Sequence, residues 1–224
     1  MFKRNKEGER NMKLQITLDI LELDEAMDYL EQVAPYADIV EVGTPLSLMY
    51  GVKAVQKVKE KYPELLVLDD IKLCDGGKRS SWACLSKGAD LITILGISDR
   101  STIQAGIEEA EKQGKQAVID MIHAENLAEK IRQVDELGAH IIGVHVGVDS
   151  QAHGENPLKA LKIAKETVKQ AKISVAGGLK DDSYLDEILK YKPDILVVGN
   201  GIRKAENPGE TARRIRERMK AAEA

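Results

Sequence analysis

The chain has 224 residues, 43% of them apolar, enough for one large domain or two small ones with a sizeable core. Its 33 basic and 37 acidic residues leave a formal charge of −4, so there is no cationic excess to serve as a footprint for nucleic acid. The apolar runs are only a few residues long, against the roughly 20 that a membrane-crossing helix needs, which also argues against a membrane protein.

In chain order, residues 1–11, MFKRNKEGERN, are charged and lack the apolar stretch of a secretory signal. They read as a flexible leader before one domain over 12–224. Short aliphatic or β-branched runs follow at 14–18, 39–42, 65–68, 91–95, 117–122, 140–146, 173–176 and 195–198. Most are continuous rather than alternating, as strands covered on both faces should be. Between them lie stretches with helical spacing at 23–34, 45–61, 78–87, 102–112, 125–137, 157–170, 183–189 and 210–220. Gly88, Gly114 and Gly138 each follow such a stretch, as a C-terminal cap does. Each step is one strand, one helix and two loops, without a repeat of residue identity. Eight such units fit a closed (β/α)₈ TIM barrel, α/β in class and a single domain. An open doubly wound sheet would want a glycine-rich turn after its first strand, and Leu18-Asp19-Ile20-Leu21 has none. Cys74 and Cys84 form no CxxC pair and read as reduced thiols of a cytoplasmic protein.

A parallel barrel carries its active site at the C-terminal ends of its strands. Those ends hold Asp19, Glu41, Asp70 with Lys72, Asp120, His145, Gly177-Gly178 and Gly199-Asn200-Gly201. Polar stops would explain any one of them. Four acids, a lysine and a histidine on one rim argue for a working site. In LDDIKLCDGG, residues 68–77, Asp70 and Lys72 are two apart and project to one face. Lys72 stays protonated among carboxylates and is suited to stabilising an oxyanion or donating a proton. Asp75 sits in the loop that follows. The alternative for this segment is a surface salt bridge. Glu41 and Asp70 end adjacent strands and are hard oxygen ligands of the kind Mg²⁺ uses. The alternative is a carboxylate pair held by Lys72 alone. His145 ends its strand in a polar pocket, suited to proton transfer near neutral pH. His140 starts the same strand and belongs to the opposite rim; His123 and His153 read as loop residues. No HExxH motif or Cys/His cluster indicates zinc. Glycines after the last two strands expose backbone N–H groups where (β/α)₈ enzymes often seat phosphate. Arg203, one turn into the helix that follows, either adds charge there or faces solvent.

These segments carry a family resemblance. LQITLD (14–19), DIVEVGTP (38–45), the D-x-K-x-x-D element Asp70-Lys72-Asp75, GAD (88–90), VIDMI (118–122), GVHVGVDSQAHG (143–154), VAGG (175–178) and VVGNGI (197–202) resemble the 3-hexulose-6-phosphate synthases. That family belongs to the orotidine 5′-monophosphate decarboxylase suprafamily, and the resemblance spans about residues 12–220. It implies a lyase: a reversible aldol condensation of formaldehyde with D-ribulose 5-phosphate through an enediolate. By position it implies Glu41 and Asp70 as holders of Mg²⁺, with Mn²⁺ as a substitute. Lys72 would stabilise the enediolate charge and His145 would move the C1 proton. Asp19 and Asp120 would fix hydroxyls or Lys72. Gly177, Gly178, Gly199, Asn200 and Gly201 would cradle the phosphate. It also implies a homodimer with shared sites, in which Asp75 reaches the partner's site. The related 3-keto-L-gulonate-6-phosphate decarboxylases carry an arginine three positions after the histidine, where this chain has Val148. Decarboxylation of that sugar is the alternative activity, and a phosphosugar-binding protein without catalysis is the alternative of another class.

Overall fold

The computed structural model describes residues 11–178 and 182–223, so nearly all of the leader at 1–11 lies outside the described residues. Eight parallel strands close into a barrel in sequence order: β1 (Lys13–Leu18), β2 (Ile39–Val42), β3 (Leu66–Leu73), β4 (Leu91–Leu95), β5 (Gln116–Asp120), β6 (Ile141–His145), β7 (Lys172–Ala176) and β8 (Ile195–Val198). Pairing of Lys13 with Ile195 and of Ile16 with Val198 completes the ring. The helices between them are α1 (Leu23–Val33), α2 (Thr44–Tyr50), α3 (Val52–Lys61), α4 (Gly77–Leu85), α5 (Arg100–Lys112), α6 (Leu127–Glu136), α7 (Val148–Ala152), α8 (Leu158–Thr167), α9 (Asp182–Leu189), α10 (Asn200–Arg203) and α11 (Pro208–Glu223).

Both faces of each strand are used. Ile39, Leu68, Leu91, Val118, Ile141 and Ile195 point inward and plug the lower barrel. Their chain neighbours, such as Val40, Val67, Ile92 and Ile142, point outward against buried helix residues including Val55, Ile103 and Leu161. That double cover is why the strands read as unbroken apolar runs.

The barrel floor has a repeating polar device. The residue before each even strand accepts the N–H near the start of the preceding odd strand. Asp38 takes Leu14 N–H at 2.9 Å, Asp90 takes Val67 at 3.0 Å, and Asp194 takes Ile173 at 2.9 Å. His140 Nδ1 takes Ala117 N–H at 3.3 Å, which places His140 on the floor, opposite His145. An amide buried there without a partner costs about 1–3 kcal/mol, so these residues are tied to barrel closure.

Three local features differ from the sequence reading. The helical stretch 45–61 is two helices, because Gly51 takes φ +55°, favoured only for glycine, and donates its N–H to Ser47 O at 2.7 Å. The run 65–68 extends to Leu73 through a bulge, in which β3 passes from Asp69, opposite Ile92, to Leu73, opposite Ile94. Within the bulge Lys72 adopts φ +43° and gives its N–H to Thr93 Oγ1 at 2.9 Å rather than to a ladder carbonyl. Finally, α7 is a short helix in what read as a loop after β6, whereas the helix expected to follow the β8 glycines is the four-residue α10.

Candidate active site

The upper barrel opens into a cavity of about 660 Å³. Its wall includes Asp19, Glu41, Asp70, Lys72, Asp120, His145, Gly177, Gly178, Gly199, Asn200 and Gly201. Asp75 is exposed in the loop between β3 and α4, where its Oδ1 accepts Gly76 N–H at 2.7 Å, and it does not line this cavity.

Asp70 is 5% exposed and held from three sides. Thr44 Oγ1 donates to its Oδ2 at 2.6 Å and Thr93 Oγ1 to its Oδ1 at 2.7 Å. Lys72 Nζ lies 2.9 Å from Oδ2. Thr44 is carried by α2, which is pinned to β3 by Ser47 Oγ donating to the outward-facing Asp69 at 2.9 Å. Burial pushes the Asp69 carboxyl upward. Lys72 also reaches Asp120 Oδ2 at 3.5 Å, and that same oxygen is 3.1 Å from His145 Nδ1. Asp120 Oδ1 accepts Ile122 N–H at 2.9 Å. Burial raises the Asp120 carboxyl, but His145, Lys72 and the Ile122 amide more than offset it and hold the group below its ordinary range. Burial lowers Lys72, but the charges of Asp70, Asp120 and Glu41 more than offset it, so Lys72 is a firm cation. With a charged Asp120 on Nδ1, the imidazole proton belongs there, and Nε2 is left with its lone pair.

Glu41 accepts Gln15 Nε2 at 2.5 Å. Burial, followed by the charges of Asp70 and Asp19, pushes its carboxyl well above the usual range. Asp19 stands at the rim with Thr17 Oγ1 donating to it at 2.5 Å. A Cβ on Gly43 would lie 2.2 Å from the Asp19 carboxylate, so the residue after β2 has to be glycine for Asp19 to sit there. On the adjoining end of β8, a Cβ on Gly199 would lie 2.6 Å from Thr17 Oγ1. Arg203 lines this corner, with Nη2 donating to Asn200 Oδ1 at 2.8 Å and a buried Nε without a partner. It faces the cavity, the first of the two placements open to it from sequence.

Sequence reasoning passed over Gln15, Thr17, Thr44, Thr93 and Ser174, all of which line the cavity. A signal was present for four of them, since LQITL, LITIL and KISVA each set a polar residue at alternate positions of an otherwise apolar strand. Among the described residues no three His, Cys, Asp or Glu side chains are grouped closely enough to hold a metal by themselves. The Glu41–Asp70 pair nevertheless fits a hard dication. Mg²⁺ is commonly bound through one or two carboxylates with water and substrate oxygens completing the shell. Asp70 and Asp19 set like charge beside the buried Glu41 carboxyl, which a dication would offset. Among the described residues no helix is long and apolar enough to cross a membrane.

Residues 12–215 match the model of the orotidine 5′-phosphate decarboxylase / HUMPS family. The chain is 41% identical over 206 residues to the 3-hexulose-6-phosphate synthase of Bacillus subtilis, covering 92% of this chain and 98% of that protein. The crystal structure of 3-hexulose-6-phosphate synthase from Salmonella typhimurium superposes with a TM-score of 0.92 at 40% identity, covering 94% of this chain and 100% of that one. The 3-keto-L-gulonate-6-phosphate decarboxylase from Vibrio cholerae superposes with a TM-score of 0.80 at 24% identity over 94% of this chain and 98% of that one, and so shares the fold. The chain therefore belongs to the orotidine 5′-phosphate decarboxylase / HUMPS family, in its 3-hexulose-6-phosphate synthase branch.

Proposed function

We propose that this chain joins formaldehyde to C1 of D-ribulose 5-phosphate, reversibly, giving 3-hexulose 6-phosphate. The observation that carries the reading is the chain of contacts from Asp70 through Lys72 and Asp120 to His145 under one cavity. His145 Nε2 takes a proton from C1, and Asp120 steadies the imidazolium through Nδ1. The electron pair left behind spreads onto the C2 oxygen as an enediolate, and the Lys72 ammonium offsets its charge. C1 then attacks the aldehyde carbon, the C=O π bond opens, and the new alkoxide takes up the proton that His145 removed, which returns the imidazole to its starting form. Glu41 and Asp70 would hold Mg²⁺, with Mn²⁺ as a substitute. Such an ion supplies Lewis-acid stabilisation of developing oxygen charge. Gly177, Gly178, Gly199, Asn200 and Gly201 offer backbone N–H groups, and Arg203 a cation, to the phosphate on the far side of the mouth. Asp19 is placed for a substrate hydroxyl.

The working form in this reading is a homodimer in the cytoplasm, with Asp75 reaching the partner's site. Support for the dimer comes from large exposed apolar side chains on three consecutive units: Leu48 and Met49 on α2, Trp82 on α4 and Ile97 after β4. Asp75 lies on the same flank. The free thiols of Cys74 and Cys84 suit a reducing compartment.

The test is an assay of ribulose 5-phosphate and formaldehyde, with Mg²⁺ and after exhaustive chelation. Joint consumption of both, lost on chelation and restored by the metal, is expected. Undiminished turnover after chelation removes the metal, and no joint consumption removes the reaction.

A further inference from the structure

Helix α7 is not needed to close the barrel, yet one of its side chains touches two parts of the site at once. Gln151 Nε2 donates to Val146 O at 2.7 Å. Val146 directly follows His145, and its N–H is held by Ala176 O at 3.3 Å. The other side of the same amide covers the two glycines after β7. A Cβ on Gly177 would lie 3.2 Å from Nε2, and one on Gly178 would lie 3.6 Å from Oε1. Gln151 is half-buried in the cavity wall, so its amide lies between the Val146–Gly147 peptide and the Gly177–Gly178 backbone.

We propose that Gln151 is a positioning residue that couples anion binding at Gly177–Gly178 to the setting of His145. The proposal rests on the reading of His145 as base and of these glycines as the phosphate seat. Both glycines have positive φ, +116° and +66°, and neither carries a side chain that packing can hold. An anion seated on their N–H groups orders this backbone against the Gln151 amide. The amide in turn holds the Val146 carbonyl, and Val146, tied at its N–H to Ala176 O, fixes the backbone directly after His145. Phosphate binding, remote from the reacting carbons, is thereby used at C1.

The test uses the full chain with ¹⁵N-labelled histidine rings and inorganic phosphate as the probe, followed by NMR, with His145 assigned through His145→Gln. In the wild type, saturating phosphate shifts the His145 ring signals. Gln151→Met keeps the bulk without the amide, and Gln151→Asn keeps the amide without the reach. In both, phosphate is expected still to bind while the shift at His145 is lost, and kcat to fall between about 10- and 100-fold with KM little changed. Weaker phosphate binding with an undiminished His145 response marks a plain ligand and overturns the proposal. A lower Tm with an undiminished response marks a plain structural staple and overturns it too. A wild type that binds no phosphate, or whose His145 ignores it, does the same. A wild type that shows the coupling and forms no hexulose phosphate defeats the synthase reading and leaves the coupling established.

Discussion

Lys72→Met removes the ammonium from the centre of the site while keeping side-chain length and the φ +43° backbone unchanged in kind. Nζ lies 2.9 Å from Asp70 and 3.5 Å from Asp120, whose side chains are only 7% and 6% exposed. At an effective dielectric of 20, each attraction is about 5 kcal/mol before desolvation. Withdrawing Lys72 from water offsets most of that, and an uncompensated carboxylate limits its penalty by binding a proton. A net loss of about 2–3 kcal/mol follows, which for a chain of this size lowers Tm by roughly 5–10 °C. Catalysis suffers more, because a donor aimed at charge that appears only in the transition state is worth about 10²–10³ in kcat. KM for ribulose 5-phosphate should change little, since the proposed phosphate seat after β7 and β8 lies across the mouth from β3. The assay pairs formaldehyde consumption with circular dichroism melts, and includes Lys72→Arg. Arginine restores the charge and part of the Tm, but its planar fork does not reproduce a compact ammonium, so kcat stays low. A folded Lys72→Met variant within tenfold of wild-type kcat would refute the placement of Lys72 at the reacting oxygens.

Gly177→Ala forces an L side chain to φ +116° and sets its Cβ 2.8 Å from Val146 O, so it should cost about 1–3 kcal/mol in urea unfolding and raise KM for the phosphate ester. Unchanged values in both would dissociate this turn from binding. Burial lowers the His140 pKa from 6.5, with Glu111 opposing, and Nδ1 must be unprotonated to accept Ala117 N–H. Because the unfolded state binds the proton more readily, the contribution of His140 is complete above pH 6.5 and declines as pH falls through and below that value. His140→Asn keeps an acceptor without the titration, so its Tm should fall less steeply than the wild type's below pH 6.5; parallel curves would contradict this. Leu48→Glu places a charge at an 81% exposed leucine on α2 and should convert the proposed dimer to monomer in sedimentation analysis, and an unchanged mass would contradict an interface at this face.

The barrel and its rim were legible because Asp19, Glu41, Asp70, Asp120 and His145 each interrupt or end an apolar strand, and a parallel barrel gathers such ends at one mouth. The bulge in β3 was not legible. Nothing in Asp69-Asp70-Ile71-Lys72 announces that Lys72 leaves the ladder, since the cause is Thr93 on the neighbouring strand taking its N–H. Nor was the break at Gly51, because Val52, Val55 and Val58 keep helical spacing on either reading. His140 was legible as a residue of the opposite rim, but the Asp residues of the barrel floor look like ordinary turn residues until closure brings each beside the preceding strand. The placement of Arg203 depends on α10, whose four residues are too few to show a period. Asp75 was legible as a motif residue, but its own chain leaves it at the surface outside the cavity.

In the proposed reaction an enediolate, formed by His145 and stabilised by Lys72, precedes any bond to the aldehyde. Ribulose 5-phosphate incubated with the Mg²⁺-loaded protein in D₂O, without formaldehyde, tests this directly by proton NMR at C1. Loss of a single C1 hydrogen signal, abolished in His145→Gln and strongly slowed in Lys72→Met, is the predicted result. Wild-type protein that condenses the two substrates yet exchanges neither C1 hydrogen, or a His145→Gln variant that exchanges at the wild-type rate, would contradict it.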